Sequence, residues 1–288
     1  MTIRRNFLPD IRIHPVLMIF LVISFFTGTF MQLAVILGIV LFHEMGHYLT
    51  ARLFGWRIGT IMLWVFGGVM DTDEHGNRPI REEALVTAAG PAQHLIIWLA
   101  LTLLPVEAWF PPSVIEVIFY YNTVILLFNL LPIWPLDGGK LLFLGLSAFM
   151  PYKKAYHSVL LFSMTASVGL LLGQLLFYPF TLSAFFVMIF LFMENKTEWK
   201  QRYYVFIRFL LKRYEGNAPV RQVRPITVPS DSSLMEVFSR FMRDKKHPIY
   251  VTFPDRTRQA IDEADCLRGY FHERHYRHAI GELLSSRL

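Results

Sequence analysis

The sequence predicts an α-helical polytopic membrane protein with six transmembrane helices and a membrane-associated β-hairpin, followed by a small C-terminal α/β domain. The 288 residues are 54% hydrophobic and 15% aromatic, which is too apolar for a single soluble domain. Six apolar stretches alternate with short connections, and the composition becomes soluble near residue 220. The predicted domains are residues 1–195 for the membrane core, 196–219 for a basic interfacial linker and 220–288 for the C-terminal domain.

The predicted spans cover residues 15–26, 30–53, 85–104, 114–131, 157–177 and 179–193. The first is read as an uncleaved helix, because no small-residue cleavage site follows it. The net charge is +6, and the positively charged residues are clustered near the ends of the predicted spans. The lysines and arginines there all fall on one side of the predicted membrane: Arg4, Arg5, Arg12, Arg52, Arg57, Arg78, Arg81, Lys140, Lys153, Lys154, Lys196 and Lys200. The positive-inside rule makes that side cytoplasmic, so we expect both termini in the cytoplasm.

The central motif is His43-Glu44-x-x-His47 in the second span. On a helix the two histidines lie one turn apart on the same face, so both imidazoles can reach one metal ion. Glu44 is offset by one residue, which places its carboxylate beside the attacking water. Zinc suits two imidazoles with an open position. Such polar groups are costly in a membrane helix, so we interpret the motif as functional; the alternative is a polar cluster used only for helix packing.

A non-helical segment follows the motif at residues 56–70, which are β-branched and aromatic with Gly67-Gly68 as a turn or bulge signal. Such backbone at membrane depth must be satisfied by protein or by a water-filled cavity. We predict strands or a re-entrant hairpin near the histidines, with a hairpin of purely structural role as the alternative.

The third span opens with Ala88-Ala89-Gly90-Pro91, small residues that allow close helix contact. His94 lies within this span. We interpret His94 as a hydrogen-bonded packing residue, and a metal ligand is the alternative.

The second informative run covers residues 129–140, where two prolines and two glycines present Asp137 from irregular backbone. A zinc site with two histidines and a water still lacks a third protein ligand, and a carboxylate is the usual supplier. Asp137 is therefore the candidate third ligand, and its alternative role is to cap a following helix. Asn129 is a candidate to hold a substrate carbonyl or to orient the site.

The C-terminal part begins with a basic, aromatic segment at residues 194–214, which is typical of an interfacial helix. Residues 226–234 then predict a strand and a capped helix start, followed by a buried strand at 248–253, a strand at 258–261 and a helix from Glu263. The single cysteine, Cys266, excludes an internal disulfide and fits a reducing compartment.

Three motifs together resemble the site-2 proteases, which are intramembrane zinc metalloproteases. They are the histidine pair, the Asn-x-x-Pro-x-x-x-x-Asp-Gly run and the Ala-Ala-Gly-Pro opening. The resemblance covers the six-span core and implies that His43, His47 and Asp137 bind Zn²⁺ while Glu44 is the catalytic base. The run departs from the family at Asn129-Leu-Leu-Pro132, where an Asn-Pro opening is commoner.

The C-terminal domain is similar to a single cystathionine-β-synthase-type (CBS) domain. A six-span core with one such domain resembles the bacterial subgroup that processes the membrane-associated precursor of a sporulation sigma factor. This implies a membrane-associated protein substrate, membrane regulatory or inhibitory proteins and no direct nucleic-acid partner. It also implies a location in a bacterial cell membrane, namely the forespore membrane.

Within that resemblance, the substrate must be locally extended, because a helix shields its own peptide bonds. An exposed strand edge within residues 56–70 is suited to hold it by strand addition. The candidate substrate-binding residues are Phe66, Gly67, Pro135 and Asn129.

CBS domains work as two stacked halves that bind an adenine nucleotide, so the single domain implies a homo-oligomer and ATP binding. Asp265 matches the aspartate that contacts the ribose. Asp262 replaces the usual small hydroxyl residue, and Arg256, Arg258 and Arg268 are expected to offset its charge. A dimerisation or docking domain without nucleotide is the alternative.

The competing function is a metal transporter, or a nucleotide-sensing membrane receptor without protease activity. Intramembrane histidines and carboxylates fit a transport path as well. In such a path, however, Glu44 beside the first histidine would have no task.

Overall fold

The computed structural model describes residues 10–64, 67–72, 74, 76, 78–177, 179–216, 220–276 and 278–285. The chain divides into two compact units. The first comprises residues 1–75, 81–132 and 136–141, and the second comprises residues 76–80, 133–135 and 142–288.

The first unit contains four helices and the start of a fifth among its described residues. They are α1 (Pro15–Thr27), α2 (Phe30–Leu53), α3 (Ile80–Leu103), α4 (Pro112–Asn129) and α5 (Asp137–Phe149). α1 begins at Pro15 behind a cap, since the His14 side chain accepts a hydrogen bond from the amide of Val16. It ends at Gly28, whose φ of 73° closes the helix in the left-handed conformation. The immediate return into α2 follows from this glycine.

A three-stranded sheet lies beside these helices, with β1 (Asp10–Ile13), β2 (Ile58–Trp64) and β3 (Gly67–Thr72) in that order. β2 and β3 form the antiparallel hairpin that the sequence predicts, with Trp64 opposite Gly67. β1 pairs in parallel with β2, with Asp10 opposite Thr60, and was not predicted. A buried apolar cluster of Leu17, Tyr48, Ile61 and Leu63 joins α1, α2 and β2. The hairpin is thereby packed against the helix that carries the histidine motif.

Within the described residues, four helices are long and apolar enough to cross a membrane. They are α2, α3 and α4, together with α6 (Tyr152–Phe177) of the second unit. α1 is apolar but has only 13 residues. The last helix of the membrane core, α7 (Leu182–Tyr214), is long enough but, among the described residues, is not one of the helices apolar enough to cross a membrane. The first and sixth spans therefore stay predictions, while a helical membrane protein is confirmed.

α7 is one continuous helix of 33 residues. The predicted start of a separate linker near residue 196 thus coincides with no break in the helix. In the second half of α7, Phe206, Phe209 and Leu210 are buried in the core of the second unit. These side chains pack in protein, so they are not the lipid-facing part of this segment.

The C-terminal part of the second unit is a small α/β fold. β5 (Ile226–Pro229) pairs in parallel with β7 (Ile249–Thr252), which pairs antiparallel with β8 (Arg258–Ile261). The remaining elements are β4 (Gln222–Val223), β6 (Lys245–Lys246), α8 (Leu234–Phe238), α9 (Glu263–Phe271) and α10 (Ile280–Ser285). The strands at 226, 249 and 258 and the helix from Glu263 are confirmed. β7 buries only one face, because Ile249 and Val251 are covered while Tyr250 is 41% exposed.

Two N-caps fix the helix starts of this fold. Ser233 accepts a hydrogen bond from the amide of Glu236 at 3.2 Å, and Asp262 accepts one from Ala264 at 3.0 Å. Such caps each contribute about 1 kcal/mol. They explain why α8 and α9 begin where the sequence predicts.

A buried ionic cluster ties the end of α7 to the C-terminal fold. The Arg213 guanidinium donates to both carboxylate oxygens of Glu263 and to the carbonyl of Met242. His247 donates from its backbone amide to Glu263 Oε2 at 2.9 Å, and its ring is stacked on Phe241. All three polar side chains of this cluster are less than 10% exposed. The charge of Glu263 is thus balanced by the chain's own cation.

Candidate metal centre

His43 and His47 lie one turn apart on α2, as the spacing predicts. Their Nε2 atoms face each other at 3.0 Å, and the residues are 4% and 7% exposed. Asp137 Oδ2 lies 3.1 Å from each of these nitrogens. Donor atoms around a tetrahedral zinc ion lie roughly 3.3 Å apart, since each sits ~2.0–2.2 Å from the metal. The structure therefore brings together the three donors that the sequence singled out.

Asp137 is the first residue of α5 and only 3% exposed. A helix does start here, as the capping alternative required, but the side chain is directed at the histidines. Lys140 Nζ lies 3.4 Å from the other oxygen, Oδ1, one turn further along α5. This lysine offsets part of the negative charge and leaves Oδ2 for the site.

Glu44 is buried beside the histidines, with 6% of its surface exposed. Donor atoms of His43, Glu44 and His47 all lie within 4.8 Å of one another. Its neighbour on the hairpin is Gly68, where an added Cβ would fall 2.3 Å from Glu44 Cγ. Only glycine at this point of β3 leaves room for the carboxylate, so the hairpin forms one wall of the site.

A second glycine leaves room for the imidazoles. A Cβ added at Gly90 of α3 would lie 2.2 Å from His47 Nε2 and 2.7 Å from His43 Nε2. The small-residue run on α3 was predicted to allow helix contact; the structure shows that Gly90 opens space at the donor atoms themselves. The donor set and this space fit a zinc ion.

Each histidine also has a partner behind it. His47 Nδ1 lies 2.8 Å from the backbone carbonyl of Val86, and His43 Nδ1 lies 3.0 Å from His94 Nε2. His94 is fully buried and in turn contacts Asn122 of α4 at 2.8 Å. The packing interpretation of His94 agrees with these hydrogen bonds. Val86 and Asn122 were missed, because a backbone carbonyl and a lone span asparagine give no pattern in the sequence.

The positions of the four candidate substrate-binding residues do not test their proposed role. Asn129 ends α4, and its amide nitrogen donates to the carbonyl of Ile125 on the same helix at 3.1 Å. Gly67 starts β3 with a φ of 141° and open space where a Cβ would lie. Pro135 lies in the turn before α5, and Phe66 falls outside the described residues. Their substrate role stays a prediction.

In the C-terminal fold, Asp265 lies in the first turn of α9, directly after the last strand, as expected. Asp262 is paired with Lys246 Nζ at 2.7 Å rather than with the predicted arginines, and Arg256, Arg258 and Arg268 are exposed. Burial raises the pKa of Asp262, but hydrogen bonds from Lys246 and the amide of Ala264 outweigh it and lower the pKa. The Asp262 charge is therefore offset locally. ATP binding stays a prediction.

A sequence model of Peptidase family M50 matches residues 31–110 and 106–173, which include the histidine motif and Asp137. The chain is also 38% identical over 275 residues to stage IV sporulation protein FB of Bacillus subtilis (strain 168). That alignment covers 95% of this chain and 96% of the relative. The chain belongs to peptidase family M50, the site-2 protease family.

Solved and more distant site-2 proteases agree with this membership. The chain is similar to the site-2 protease from Methanocaldococcus jannaschii, with a TM-score of 0.53 at 26% identity, over 65% of this chain and 89% of that chain. A zinc metalloprotease of the same organism is 27% identical over 213 residues, which is 72% of this chain and 59% of the relative. The family favours a membrane metalloprotease over the transporter alternative.

Proposed function

We propose that this site-2 protease family member is an intramembrane zinc endopeptidase that cleaves a membrane-associated sigma-factor precursor during sporulation. The observation that carries the peptidase part is the convergence of two imidazoles and one carboxylate oxygen within 3.1 Å, with Glu44 buried alongside. The sporulation part rests on the likeness to stage IV sporulation protein FB along nearly the whole chain. The sigma-factor substrate rests on the sequence resemblance.

In this proposal His43, His47 and Asp137 hold the metal. Bound zinc supplies Lewis-acid polarisation of the scissile carbonyl and activation of water. Glu44 takes a proton from the attacking water and returns it to the leaving amine. Gly68 leaves room for the Glu44 side chain, and the burial of Glu44 strengthens its electrostatic interactions.

The substrate is proposed to bind as an added strand at the edge of the hairpin. β1 and β3 are the two edge strands of this sheet among the described residues, and β3 is the edge proposed here. β3 also carries Gly68 against Glu44, so a strand paired there would run past the catalytic carboxylate. Phe66 and Gly67 at the turn, with Asn129 and Pro135, are the proposed contacts.

Co-expression of the chain with membrane-tethered sigma-factor precursors tests the proposal. The expected result is a shorter, soluble product that requires zinc and disappears when a zinc chelator is added to the purified reaction. Persistent full-length precursor beside a folded, zinc-loaded enzyme would overturn the substrate assignment. Zinc release across vesicle membranes without peptide cleavage would instead support the transporter.

The remaining proposals concern placement and regulation. The domain boundaries at 195 and 219, the six spans, the cytoplasmic termini and the forespore location follow from the sequence patterns and the resemblance. Membrane regulatory proteins and a homo-oligomer are proposed on the same grounds. Cysteine-accessibility labelling at both ends of the chain tests the topology, and labelling from outside only would contradict it.

The C-terminal CBS-type domain is proposed to bind ATP through Asp265 and to regulate cleavage. Support comes from the position of Asp265 on α9 and from Lys246, which offsets the charge of Asp262. Calorimetric titration of the full-length protein with ATP tests this. Heat of binding that Asp265→Ala abolishes supports nucleotide sensing, and absence of heat at millimolar ATP leaves a docking or dimerisation domain.

A further inference from the structure

Behind the candidate metal centre, a chain of hydrogen bonds joins three helices. It runs from His43 Nδ1 to His94 Nε2 (3.0 Å) and from His94 Nδ1 to Asn122 Oδ1 (2.8 Å). It closes with Asn122 Nδ2 donating to the backbone carbonyl of His94 at 3.1 Å. His94 and Asn122 are fully buried, and His43 is 4% exposed. Three polar side chains in membrane helices are thus paired with one another.

The direction of this chain is fixed at its far end. A carbonyl oxygen can only accept, so the amide nitrogen of Asn122 must face the backbone of His94. The amide oxygen then faces His94 Nδ1, which must carry a proton in order to donate to it. In a neutral imidazole the second nitrogen is then an acceptor, so His94 Nε2 accepts from His43 Nδ1.

The consequence reaches the metal site. With its proton on Nδ1, His43 presents an unprotonated Nε2 toward His47 and Asp137. That is the form of histidine that can bind a metal through Nε2. His47 reaches the same state in one step, because its Nδ1 faces the Val86 carbonyl at 2.8 Å. A backbone carbonyl therefore sets the orientation of each histidine. His47 contacts its carbonyl directly, whereas His43 is connected to one through His94 and Asn122.

We propose that His94 and Asn122 are positioning residues that hold His43 in the tautomer and ring orientation required for metal binding. The proposal rests on the proposed zinc peptidase function. His94 contacts His43 at Nδ1, on the side away from the proposed metal, and Asn122 contacts His94. Their effect on zinc affinity therefore passes through His43. The usual hydrogen-bond partner of a metal-binding histidine is a carboxylate or a backbone carbonyl, which can only accept. His94 has two ring nitrogens, and its hydrogen bond to Asn122 determines which of them accepts.

A pair of variants at Asn122 separates positioning from packing. Asn122→Asp keeps an acceptor for His94 Nδ1, whereas Asn122→Leu keeps similar volume and removes it. Positioning predicts that zinc affinity of Asn122→Leu falls about 10–100-fold while that of Asn122→Asp stays near wild type. A packing role predicts the reverse, since a leucine is cheap in a membrane helix and a buried carboxylate is costly.

The measurement is competition for zinc between the full-length protein in detergent and a chelator of known affinity. The absorption spectrum of the Co²⁺-substituted protein reports the coordination geometry. Ser167→Ala is the matched control, because Ser167 is buried in a span and its hydroxyl donates to the carbonyl of Ser163 on its own helix at 2.8 Å. Wild-type zinc affinity in a folded Asn122→Leu protein would overturn the proposal.

A second measurement on the unmutated protein does not depend on how variants fold. With ¹⁵N-labelled histidine, NMR distinguishes the two neutral tautomers of His43 in the metal-free protein. A proton on Nδ1 is expected, and a proton on Nε2 overturns the proposal. Because neither measurement uses cleavage, a wild-type enzyme that binds zinc but cuts no substrate would refute the proposed function and leave this inference standing.

Discussion

The metal centre and the Arg213–Glu263–His247 cluster are both buried groups of histidine and carboxylate, yet they are completed differently. In the C-terminal cluster the Arg213 guanidinium donates to both oxygens of Glu263, so the buried carboxylate is paired with a buried cation. In the metal centre two imidazole nitrogens and one oxygen face a common point, and Lys140 reaches only the outer oxygen of Asp137. The first arrangement is complete within the chain, whereas the second leaves three donor atoms for the proposed zinc ion.

This difference separates a structural network from a reactive site. A buried pair satisfied by the chain itself contributes to the fold and has no free donor for a ligand. Metal-donor atoms that face one another repel when no cation lies between them, so the surrounding helices must hold them in place. The outer hydrogen bonds of His43 and His47 supply that restraint.

The largest effect is expected at the proposed base. Glu44→Gln should lower the cleavage rate by about 10²–10⁴-fold, because the amide cannot accept the proton. Zinc content, measured by atomic absorption, should stay at the wild-type level since the three donors remain. Glu236→Gln, at an exposed position of α8, is the control and should cleave normally. Near-normal processing by Glu44→Gln would remove the base assignment.

Loss of a donor should act on the metal as well as on the rate. Asp137→Ala is expected to weaken zinc binding by more than the ~10–100-fold typical of outer partners. Chelator competition measures this directly. If the purified variant kept full metal occupancy in the same competition, Asp137 would return to its alternative role at the start of α5.

The space at the donor atoms gives the third prediction. Gly90→Ala should displace the imidazoles, since its Cβ would lie 2.2 Å from His47 Nε2, and should lower both zinc affinity and activity. Gly38→Ala on α2 is the matched control, because a Cβ there meets nothing within 4 Å. Equal zinc affinity in the two variants would show that the helices separate easily, and that Gly90 is dispensable.

Breaking the closed cluster should affect only the C-terminal fold. Glu263→Gln leaves Arg213 buried without a counter-charge, which costs about 3–5 kcal/mol. Hydrogen exchange of residues 226–267 in the full-length protein should accelerate accordingly, while zinc affinity stays unchanged. A parallel loss of zinc would mean that the two clusters are not independent.

The smallest effect is a dependence on pH in the same cluster. Burial lowers the pKa of His247 below its ordinary value of 6.5, so its contribution is complete above that value and declines as pH falls below it. Burial raises the pKa of Glu263, but His247 and Arg213 outweigh it and lower the pKa below 4.5, so its contribution declines only at more acidic pH. Exchange protection should therefore fall first below about pH 6.5. His247→Gln should remove that first step, and an unchanged profile would exclude His247 as its source.

The convergence of His43, His47 and Asp137 was predictable, because helical spacing fixes the two histidines on one face and zinc chemistry demands a third donor. Their role as zinc ligands stays a prediction. The hairpin and the tail elements were predictable from β-branched runs and N-cap residues. The parallel pairing of β1 and the glycine contacts at Gly68 and Gly90 were not. They depend on residues far apart in the chain, and a glycine shows nothing about what approaches it.

The continuity of α7 has a mechanical consequence. At about 1.5 Å per residue its 33 residues extend ~50 Å as a single rod. Arg213 anchors its last turn in the C-terminal cluster, and Asn195, in its middle, donates to the backbone carbonyl of Trp134. Ser163 of α6 accepts from the amide of the same Trp134 at 2.9 Å.

The backbone N–H and C=O of Trp134 are therefore both bound by side chains, one on α6 and one on α7. Because α7 continues without a break from this contact to Arg213, a rotation of its last turn would be transmitted along the helix to Trp134. The C-terminal cluster and the Trp134 contact are thus expected to move together within the second unit.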